Sequence, residues 1–313
     1  MPSFSRLFGG KPKAKQKPAA KGKPAPTSQT VTAAGAGASK PKAQPTPTLF
    51  DQLPPPPACP DGWQVGPPDF VILGAQKAGT TWWFRLIETH PQVVQPAEQR
   101  PELHYFDRLY DRWPTPDELT AYQRYFPRPA GSLAGEKTPE YLDSPWVAPM
   151  LAQAAPETRV IILLRDPITR YLSGRFHAER ALQRAGIDPA TRGLSDRRRV
   201  VGEAIDKGMY ATQVERVLHH FPADRTLVLQ YERCVADPRG QLARTFAFLG
   251  LPPHDPTDEE ITRPRNESKG DPVVISDEHR ALLRRLYRPE VARLRELMPD
   301  LDLGLWPDYA DLG

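Results

Sequence analysis

Three short, largely apolar runs lie after Asp61, and a segment long enough for a helix follows each of them. The runs are FVILG (70–74), RVIILLRDP (159–167) and TLVLQYE (226–232). Because their apolar residues are continuous rather than alternating, they are typical of strands buried on both faces. Strands that alternate with helices predict an α/β fold, in which a parallel β-sheet is flanked by helices.

The helical segments have ends that the sequence indicates. The first covers residues 79–90 and stops at a proline, which cannot donate the hydrogen bond that continues a helix. The segments TRYLSGRFHAERALQRA (169–185) and PRGQLARTFAFLGL (238–251) follow the other two runs. The last segment, residues 277–298, has an amphipathic pattern, and we expect an interruption near Pro289.

The N-terminal region has a different composition from the rest of the chain. Residues 1–48 are mostly Lys, Pro, Ala, Gly, Ser and Thr, and the first 50 residues carry nine basic and no acidic side chains. Since the net charge of the whole chain is +4, the remaining residues carry −5. Such a segment buries too little apolar surface to offset its chain entropy. We therefore predict a disordered tail and linker over residues 1–60 and a folded domain over residues 61–313.

The composition of the basic tail is compatible with two functions. The tail is either a solubilising linker or a cationic arm for an anionic membrane surface or another polyanion.

Two cysteines, Cys59 and Cys234, do not make a disulfide framework or a zinc site, which favours a reducing compartment. The sequence contains neither a membrane-spanning apolar run nor the apolar core of a signal peptide. We expect a cytoplasmic protein, with peripheral binding at the inner membrane face as a further hypothesis.

A glycine-rich loop follows the first apolar run, in DFVILGAQKAGTTWWFRLIETHP (69–91). Gly74 and Gly79 have the spacing of the phosphate-binding pattern G-x-x-x-x-G-K-[ST]. Thr80 stands where that pattern has its lysine, and Lys77 lies inside the loop. A glycine-rich turn between a strand and a helix points backbone N–H groups at an anion. The loop predicts an anion site formed by Lys77, Ala78, Gly79, Thr80 and Thr81; the alternative is an ordinary turn with a surface lysine.

A second candidate anion site follows the second apolar run, in RDPITRYLSGRF (165–176). In an open α/β sheet, ligands bind at the carboxyl ends of strands, where Arg165 is expected. Ser173 lies eight residues later, about two helical turns on. A guanidinium meets phosphate oxygens in two places, so Arg165 and Ser173 are suited to a second phosphate. The alternative is that Arg165 and Asp166 only cap the following helix.

Together, GAQKAGTTWW and RDPITRYLSGRFH resemble the two nucleotide-binding motifs of the sulfotransferases that use 3′-phosphoadenosine 5′-phosphosulfate. Four further stretches are similar to the heparan-sulfate-type branch of that family: PELHYFD, GEKTPEYLDSP, HHFPADRTLVLQYE and NESKGDP. The resemblance covers roughly residues 69–306. It implies the P-loop sulfotransferase fold and makes residues 61–313 the catalytic domain.

The resemblance also explains the displaced lysine. The implied donor has a 5′-phosphosulfate and a 3′-phosphate, with no chain of β- and γ-phosphates and no need for a metal ion. Lys77 would then follow the bridging oxygen between phosphate and sulfate, where negative charge grows as the bond breaks. The 3′-phosphate accounts for a second anion site at Arg165 and Ser173.

The resemblance places the catalytic base at Glu102, in PELHYFD. His104 and Asp107 would lie near the acceptor, and His104 is the alternative base, because other branches of the family use a histidine. A carboxylate can accept the proton of the acceptor if burial or a neighbouring charge raises its pKa. Taken alone, Glu102 could equally be a solvated loop residue.

Further roles come from the same resemblance. Lys137, in GEKTPEYL, would face the sulfate and the acceptor. Lys269 and Gly270, in NESKGDP, would reach the phosphates of the donor; the alternative is that Lys269 only lies on a flexible loop, since this chain lacks the cysteine pair that animal members have around it. Tyr210 stands where the family has a loop tyrosine near the nucleotide.

The expected function is transfer of a sulfuryl group to a hydroxyl or amine of a glycan or glycolipid, with no metal and no nucleic-acid partner. One alternative is a metal-dependent kinase, which the displaced lysine disfavours. Another is a non-catalytic polyanion-binding module that acts through the basic tail. The basic cluster DRRRV (196–200) is either a local track for an acceptor or a solvated helix face.

Overall fold

The computed structural model describes residues 53–95, 102–188, 193–262 and 273–313. The predicted tail and linker lie outside these residues, apart from residues 53–60. Lys269 and Gly270 lie outside them as well.

A parallel four-stranded β-sheet forms the centre of the folded part. Its strands are β1 (Phe70–Gly74), β2 (Gly135–Lys137), β3 (Arg159–Leu164) and β4 (Thr226–Gln230), in the order β2-β1-β3-β4. All three pairings are parallel. The predicted α/β fold is confirmed. The short strand β2 was not predicted, because three residues carry too little pattern to separate a strand from a loop.

The central strands are the most deeply buried elements. Every residue of β1 is buried, as are all residues of β3 after Arg159. Helices cover the sheet: α1 (Thr80–Ile87), α2 (Pro116–Gln123), α3 (Val147–Ala154), α4 (Pro167–Arg184), α5 (Leu194–Asp206), α6 (Tyr210–His220), α7 (Tyr231–Ala236), α8 (Pro238–Leu249), α9 (Asp258–Thr262) and α10 (Asp277–Leu297). Among them, α1 contacts α8, and α6 contacts both α3 and α10. None of these helices is both long and apolar enough to cross a lipid bilayer.

Two predicted helix limits differ from the structure. The first helix ends at Ile87 rather than at residue 90. The expected interruption at Pro289 is wrong, because α10 continues through it. The proline forfeits one backbone hydrogen bond, but Tyr287 and Val291 on either side of it are fully or almost fully buried. Tertiary packing of one continuous apolar face therefore prevails over the local preference.

The parallel sheet brings four strand ends to one edge. Four parts of the chain lie at these carboxyl ends: the loop after Gly74, Lys137 at the end of β2, Arg165 after β3 and Tyr231 after β4. Crevices at this edge are where open α/β sheets bind ligands. The sequence motifs of β1 and β3 therefore meet in space although about ninety residues separate them.

Candidate active site

The loop between β1 and α1 has a backbone that requires glycine. Gly79 is the N-cap of α1 and has φ 83°, in the left-handed region. A Cβ at Gly79 would lie 2.6 Å from Cε2 of Tyr231. Both the backbone angle and the close ring exclude larger residues. Ala78 and Thr80, on either side of Gly79, are buried, and this burial holds the first residue of α1 in place.

Arg165, which the sequence places at the end of β3, points at this loop. Its Nη1 donates a hydrogen bond to the backbone oxygen of Lys77 at 3.2 Å. Its guanidinium carbon lies 5.1 Å from the ring centroid of Tyr231, in cation–π geometry. Its Nε is buried and meets no acceptor among the described residues. Arg165 thus has donor capacity left for a ligand.

Helix α4 lies beside the same loop. A Cβ at Gly174 would lie 4.0 Å from Cγ of Lys77, so the turn that carries Ser173 and Gly174 borders the lysine. The capping alternative applies to Asp166, whose Oδ1 accepts a hydrogen bond from the Thr169 N–H at 2.6 Å. Arg165 takes no part in that cap. The structure therefore brings the two predicted anion sites together.

A chain of alternating charges forms the second part of the site. Nζ of Lys137 lies 2.5 Å from Oε1 of Glu102. Oε2 of Glu102 lies 3.7 Å from Nε2 of His104, and Nδ1 of His104 lies 2.6 Å from Oδ2 of Asp107. Lys137 comes from the end of β2, and the other three residues come from the segment before α2. The predicted residues Glu102, His104 and Lys137 are thus in direct contact.

These contacts set the pKa values of both central groups. Burial acts to raise the pKa of Glu102, but the contact with His104 and the hydrogen bond from Lys137 outweigh it and lower that pKa to about 2. The rise expected for a base is therefore absent. The hydrogen bond with Asp107, followed by the contact with Glu102, raises the pKa of His104 to about 10. At neutral pH the cluster contains an ionised carboxylate and an imidazolium.

Lys77 links the loop to this cluster. Burial, and then the positive charge of Arg165, lowers the pKa of its ammonium, whereas the charges of Glu102 and Glu140 raise it. The loop side chain Gln76 donates a hydrogen bond to Oε1 of Glu140 at 2.5 Å. The loop and the charged cluster are therefore parts of one site.

Several site residues were missed by the sequence analysis. Tyr231 packs against Gly79 and Arg165. Glu140 accepts a hydrogen bond from the side-chain amide of Gln76. Lys207 donates a hydrogen bond to the side-chain oxygen of Gln76 at 3.1 Å. A signal existed for Tyr231, an aromatic residue directly after the third apolar run. The positions of Glu140 and Lys207 depend on tertiary packing and carry no comparable signal.

Three potential metal ligands also meet in this cluster. One ligand atom each from Glu102, His104 and Glu140 lies within 4.8 Å of the others. The ammonium of Lys137 already neutralises Glu102, and His104 is bonded to Asp107. A cation at this place would have to displace both partners, so the donor set does not fit a resident metal ion.

Tyr210 lies apart from these contacts. It is buried at the start of α6, with its ring centroid 6.3 Å from that of Trp306. Its hydroxyl has no hydrogen-bond partner among the described residues. The predicted roles of Tyr210, Lys269 and Gly270 at the nucleotide stay predictions, the last two because they lie outside the described residues.

The site combines a glycine-rich loop with a carboxylate–lysine pair at the carboxyl edge of a parallel sheet. P-loop transferases have sites of this kind. A family profile described as "Sulfotransferase domain" matches residues 67–276. This match spans more than half of the chain, and the chain belongs to this family.

Curated relatives place the chain near one branch of the family. It is 32% identical over 191 residues to the human heparan sulfate glucosamine 3-O-sulfotransferase 3B1, covering 59% of this chain and 46% of that protein. It is 27% identical over 215 residues to the human bifunctional heparan sulfate N-deacetylase/N-sulfotransferase 3, covering 62% and 24%. The chain thus spans about half the length, or less, of these relatives. The resemblance to the heparan-sulfate-type branch is confirmed.

Solved structures agree on the fold. The sulfotransferase from Alicyclobacillus acidocaldarius superimposes with a TM-score of 0.59 and 24% identity, covering 78% of this chain and all of that one. The sulfotransferase STF9 from Mycobacterium avium gives a TM-score of 0.51 and 16% identity, covering 75% and 77%. The sulfotransferase fold predicted from the sequence is confirmed.

Proposed function

We propose that this chain transfers a sulfuryl group from 3′-phosphoadenosine 5′-phosphosulfate to a hydroxyl or amine of a carbohydrate acceptor, a glycan or a glycolipid. One observation carries the proposal. The loop and the Glu102–Lys137 pair are far apart in the sequence but meet at Glu140, which accepts a hydrogen bond from Gln76 of the loop and has a carboxylate oxygen within 4.8 Å of one of Glu102.

The donor would be held by groups whose chemistry fits two anions. The N–H groups at the start of α1, with Lys77 and the threonine hydroxyls, suit the 5′-phosphosulfate. Arg165, whose Nε still has donor capacity, and Ser173 suit the 3′-phosphate. Separate sites for two anions match a donor that carries them on different carbons of one ribose.

The reaction would be an in-line displacement at sulfur. Glu102 accepts the proton as the acceptor oxygen or nitrogen forms its bond to sulfur. The bond from sulfur to the bridging oxygen breaks, and 3′-phosphoadenosine 5′-phosphate leaves. Lys77 stabilises the charge that develops on that oxygen, within a half-buried site where such an interaction is stronger than in water.

Lys137 would control when Glu102 is basic. In the structure the contacts with His104 and with Lys137 together hold the pKa of Glu102 at about 2, against the effect of burial, which makes the carboxylate a weak base. An anionic sulfuryl group beside Lys137 offers the ammonium a second partner. As the Lys137–Glu102 contact weakens, the pKa of the carboxylate rises, while His104 keeps its part of the stabilisation. Glu102 would thus gain basicity when the donor is in place.

Glu102 is a better candidate for the base than His104. The contacts with Asp107 and Glu102 raise the pKa of His104 to about 10, so the imidazole carries a proton at neutral pH and cannot accept another. As an imidazolium, His104 instead orients Glu102 through its Nε2.

The acceptor class rests on the relatives, whose names specify heparan sulfate. A local basic surface supports an acidic polysaccharide as one member of that class: Arg197, Arg198 and Arg199 are exposed on α5. The rest of the folded part is net acidic, so we do not extend the proposal to a long sulfated polymer.

Location stays a separate proposal. We propose a cytoplasmic protein that the basic residues 1–48 hold at an anionic membrane surface. Deletion of residues 1–48 should then lower its binding to vesicles that contain anionic lipid. Unchanged partitioning after the deletion would contradict this part.

Calorimetric titration with 3′-phosphoadenosine 5′-phosphate, without Mg²⁺, tests the donor site. We expect roughly micromolar binding in the wild type and loss of binding in Arg165→Ala and Lys77→Ala. Arg199→Ala, which removes an exposed arginine of α5, is the matched control and should bind normally. Absence of binding, with binding of ATP and Mg²⁺ in its place, would favour the kinase alternative.

A further inference from the structure

Glu136 is a buried carboxyl group directly behind the reactive cluster. It lies on β2 beside Lys137, and only 7% of it is exposed. Successive side chains of a strand point to opposite faces, so Glu136 points away from the site that Lys137 enters. None of the steps proposed above uses it.

Three hydroxyl groups surround this carboxyl group. Tyr122 of α2 donates a hydrogen bond to its Oε1, and Oγ1 of Thr138 donates to its Oε2 at 3.1 Å. The hydroxyl of Tyr141 is the third, and its effect is also to lower the pKa of the carboxyl group. Burial raises the pKa of Glu136 to about 7, while the bonds from these hydroxyls lower it, so they favour its ionised form.

Two of those hydroxyls also hold the segment that carries the predicted base. Oγ1 of Thr138 accepts a hydrogen bond from the backbone N–H of His104 at 3.4 Å. The hydroxyl of Tyr141 accepts one from the backbone N–H of Tyr105 at 2.9 Å. His104 has φ 51°, a backbone angle that L-residues seldom adopt without support from their surroundings. The two amide bonds provide such support.

We propose that Glu136 is a positioning residue: through Thr138 and Tyr141 it fixes the backbone of His104 and Tyr105, and thereby holds Glu102 against Lys137. Its importance for turnover rests on the proposed function, whereas its effect on the backbone does not. A carboxylate can accept all three hydroxyl bonds at once. An amide has one oxygen and must donate from its nitrogen, so at least one hydroxyl would have to reorient.

The primary test compares the full-length chain with Glu136→Gln. Amide hydrogen exchange is measured on residues 102–107, together with the Kd for 3′-phosphoadenosine 5′-phosphate and the kcat for sulfuryl transfer. We expect exchange at His104 and Tyr105 to be faster by about tenfold or more, since a hydrogen bond to a charged group is lost. The kcat should fall about tenfold while the Kd for the nucleotide stays unchanged.

Asp69→Asn is the matched control. Asp69 is also a half-buried carboxylate, and it accepts a hydrogen bond from the Ala134 N–H at 2.8 Å and pairs with Arg128 at 2.8 Å. It precedes β1 at the opposite end of the strand from the site. The control should lower global stability but leave exchange at His104 and Tyr105, and kcat, unchanged.

Two further substitutions keep the proposal testable if Glu136→Gln does not fold. Thr138→Val should speed exchange at His104 but not at Tyr105, and Thr138→Ser should restore the wild-type rate. Tyr141→Phe should do the reverse, with faster exchange at Tyr105 only. Unchanged exchange at both amides in Glu136→Gln, or in both Thr138→Val and Tyr141→Phe, would overturn the proposal. If the wild type neither binds the nucleotide nor transfers sulfate, the proposed function fails, and the exchange rates still decide the positioning role.

Discussion

The ammonium of Lys137 lies 2.5 Å from the carboxylate of Glu102, although one residue ends a strand and the other belongs to an irregular segment. This pair makes the lysine a partner of the predicted base. Its consequence is electrostatic: together with His104, the lysine makes Glu102 an ionised, weakly basic carboxylate at neutral pH.

Removal of the lysine should therefore raise the pKa of Glu102 and yet slow the transfer of the sulfuryl group. In Lys137→Met, we expect the pKa of Glu102 to rise above about 2, because burial is the largest influence on it and only His104 still opposes that influence. Transfer should nevertheless fall about 100-fold, because a cation that faces the reacting sulfate is lost. A carboxyl NMR titration and a steady-state assay measure the two effects.

The control for that substitution is Arg239→Met. It breaks exposed ion pairs of Arg239, on α8, with Asp255 and Asp258, and should change neither quantity. A Glu102 pKa that stays near 2 in Lys137→Met would show that the lysine does not hold it there.

The loop glycine provides a test of the fold around the anion site. Gly79→Ala should destabilise the protein by more than about 1 kcal/mol, because alanine is strained at positive φ and its Cβ meets the ring of Tyr231. Nucleotide binding should be lost as the ring and Arg165 shift. Chemical denaturation and calorimetry measure these changes.

Gly131→Ala separates the two causes. Gly131 has φ 80°, close to that of Gly79, but a Cβ there would meet nothing within 4 Å. This variant should show the backbone strain alone and bind the nucleotide normally. Equal losses of stability in the two variants would mean that the contact with Tyr231 contributes nothing.

His104 should make stability depend on pH in the alkaline range. Its pKa is 6.5 ordinarily and about 10 in the fold, so the folded state holds its proton more tightly than the unfolded state. The stabilisation is therefore complete below pH 6.5 and is lost as the pH rises to about 10. Urea unfolding across this range should show a steeper loss for the wild type than for His104→Gln. Parallel curves would contradict the pKa assigned to His104.

Asp107 is the main cause of that raised pKa. In Asp107→Asn, the pKa of His104 should fall, although the contact with Glu102 keeps it above its ordinary value. Imidazole NMR signals follow the titration directly. Asp111→Asn, which alters a nearby exposed aspartate, should leave the titration of His104 unchanged.

Much of the fold could be predicted, because its signals are local. The three long strands are continuous apolar runs, and each is followed by a helix. The loop at Lys77 and the arginine after β3 were identified by spacing alone, and the parallel sheet required them to meet at one edge. The strand β2 escaped prediction because it has only three residues.

The reactive cluster could not be derived from spacing. Glu102, His104 and Lys137 were named through the family resemblance, and the residues alone left Glu102 open to a solvated role. The low pKa of Glu102 was also unforeseen, because it depends on the contact with His104 and on the lysine of a strand that was not predicted. Tertiary contacts of this kind leave no periodic trace in a sequence.

The most direct test of the proposed function is sulfate transfer itself. Purified protein is incubated with 3′-phosphoadenosine 5′-phosphosulfate and a panel of glycans and glycolipids, without added metal, and products are detected by mass spectrometry. We predict a mass gain of one sulfuryl group on at least one acceptor, lost in Glu102→Gln and in Lys77→Ala but retained in Arg239→Ala, which removes an exposed arginine of α8. Full transfer by Glu102→Gln or Lys77→Ala would contradict the roles assigned to them, and phosphate transfer from ATP in place of sulfate transfer would contradict the function itself.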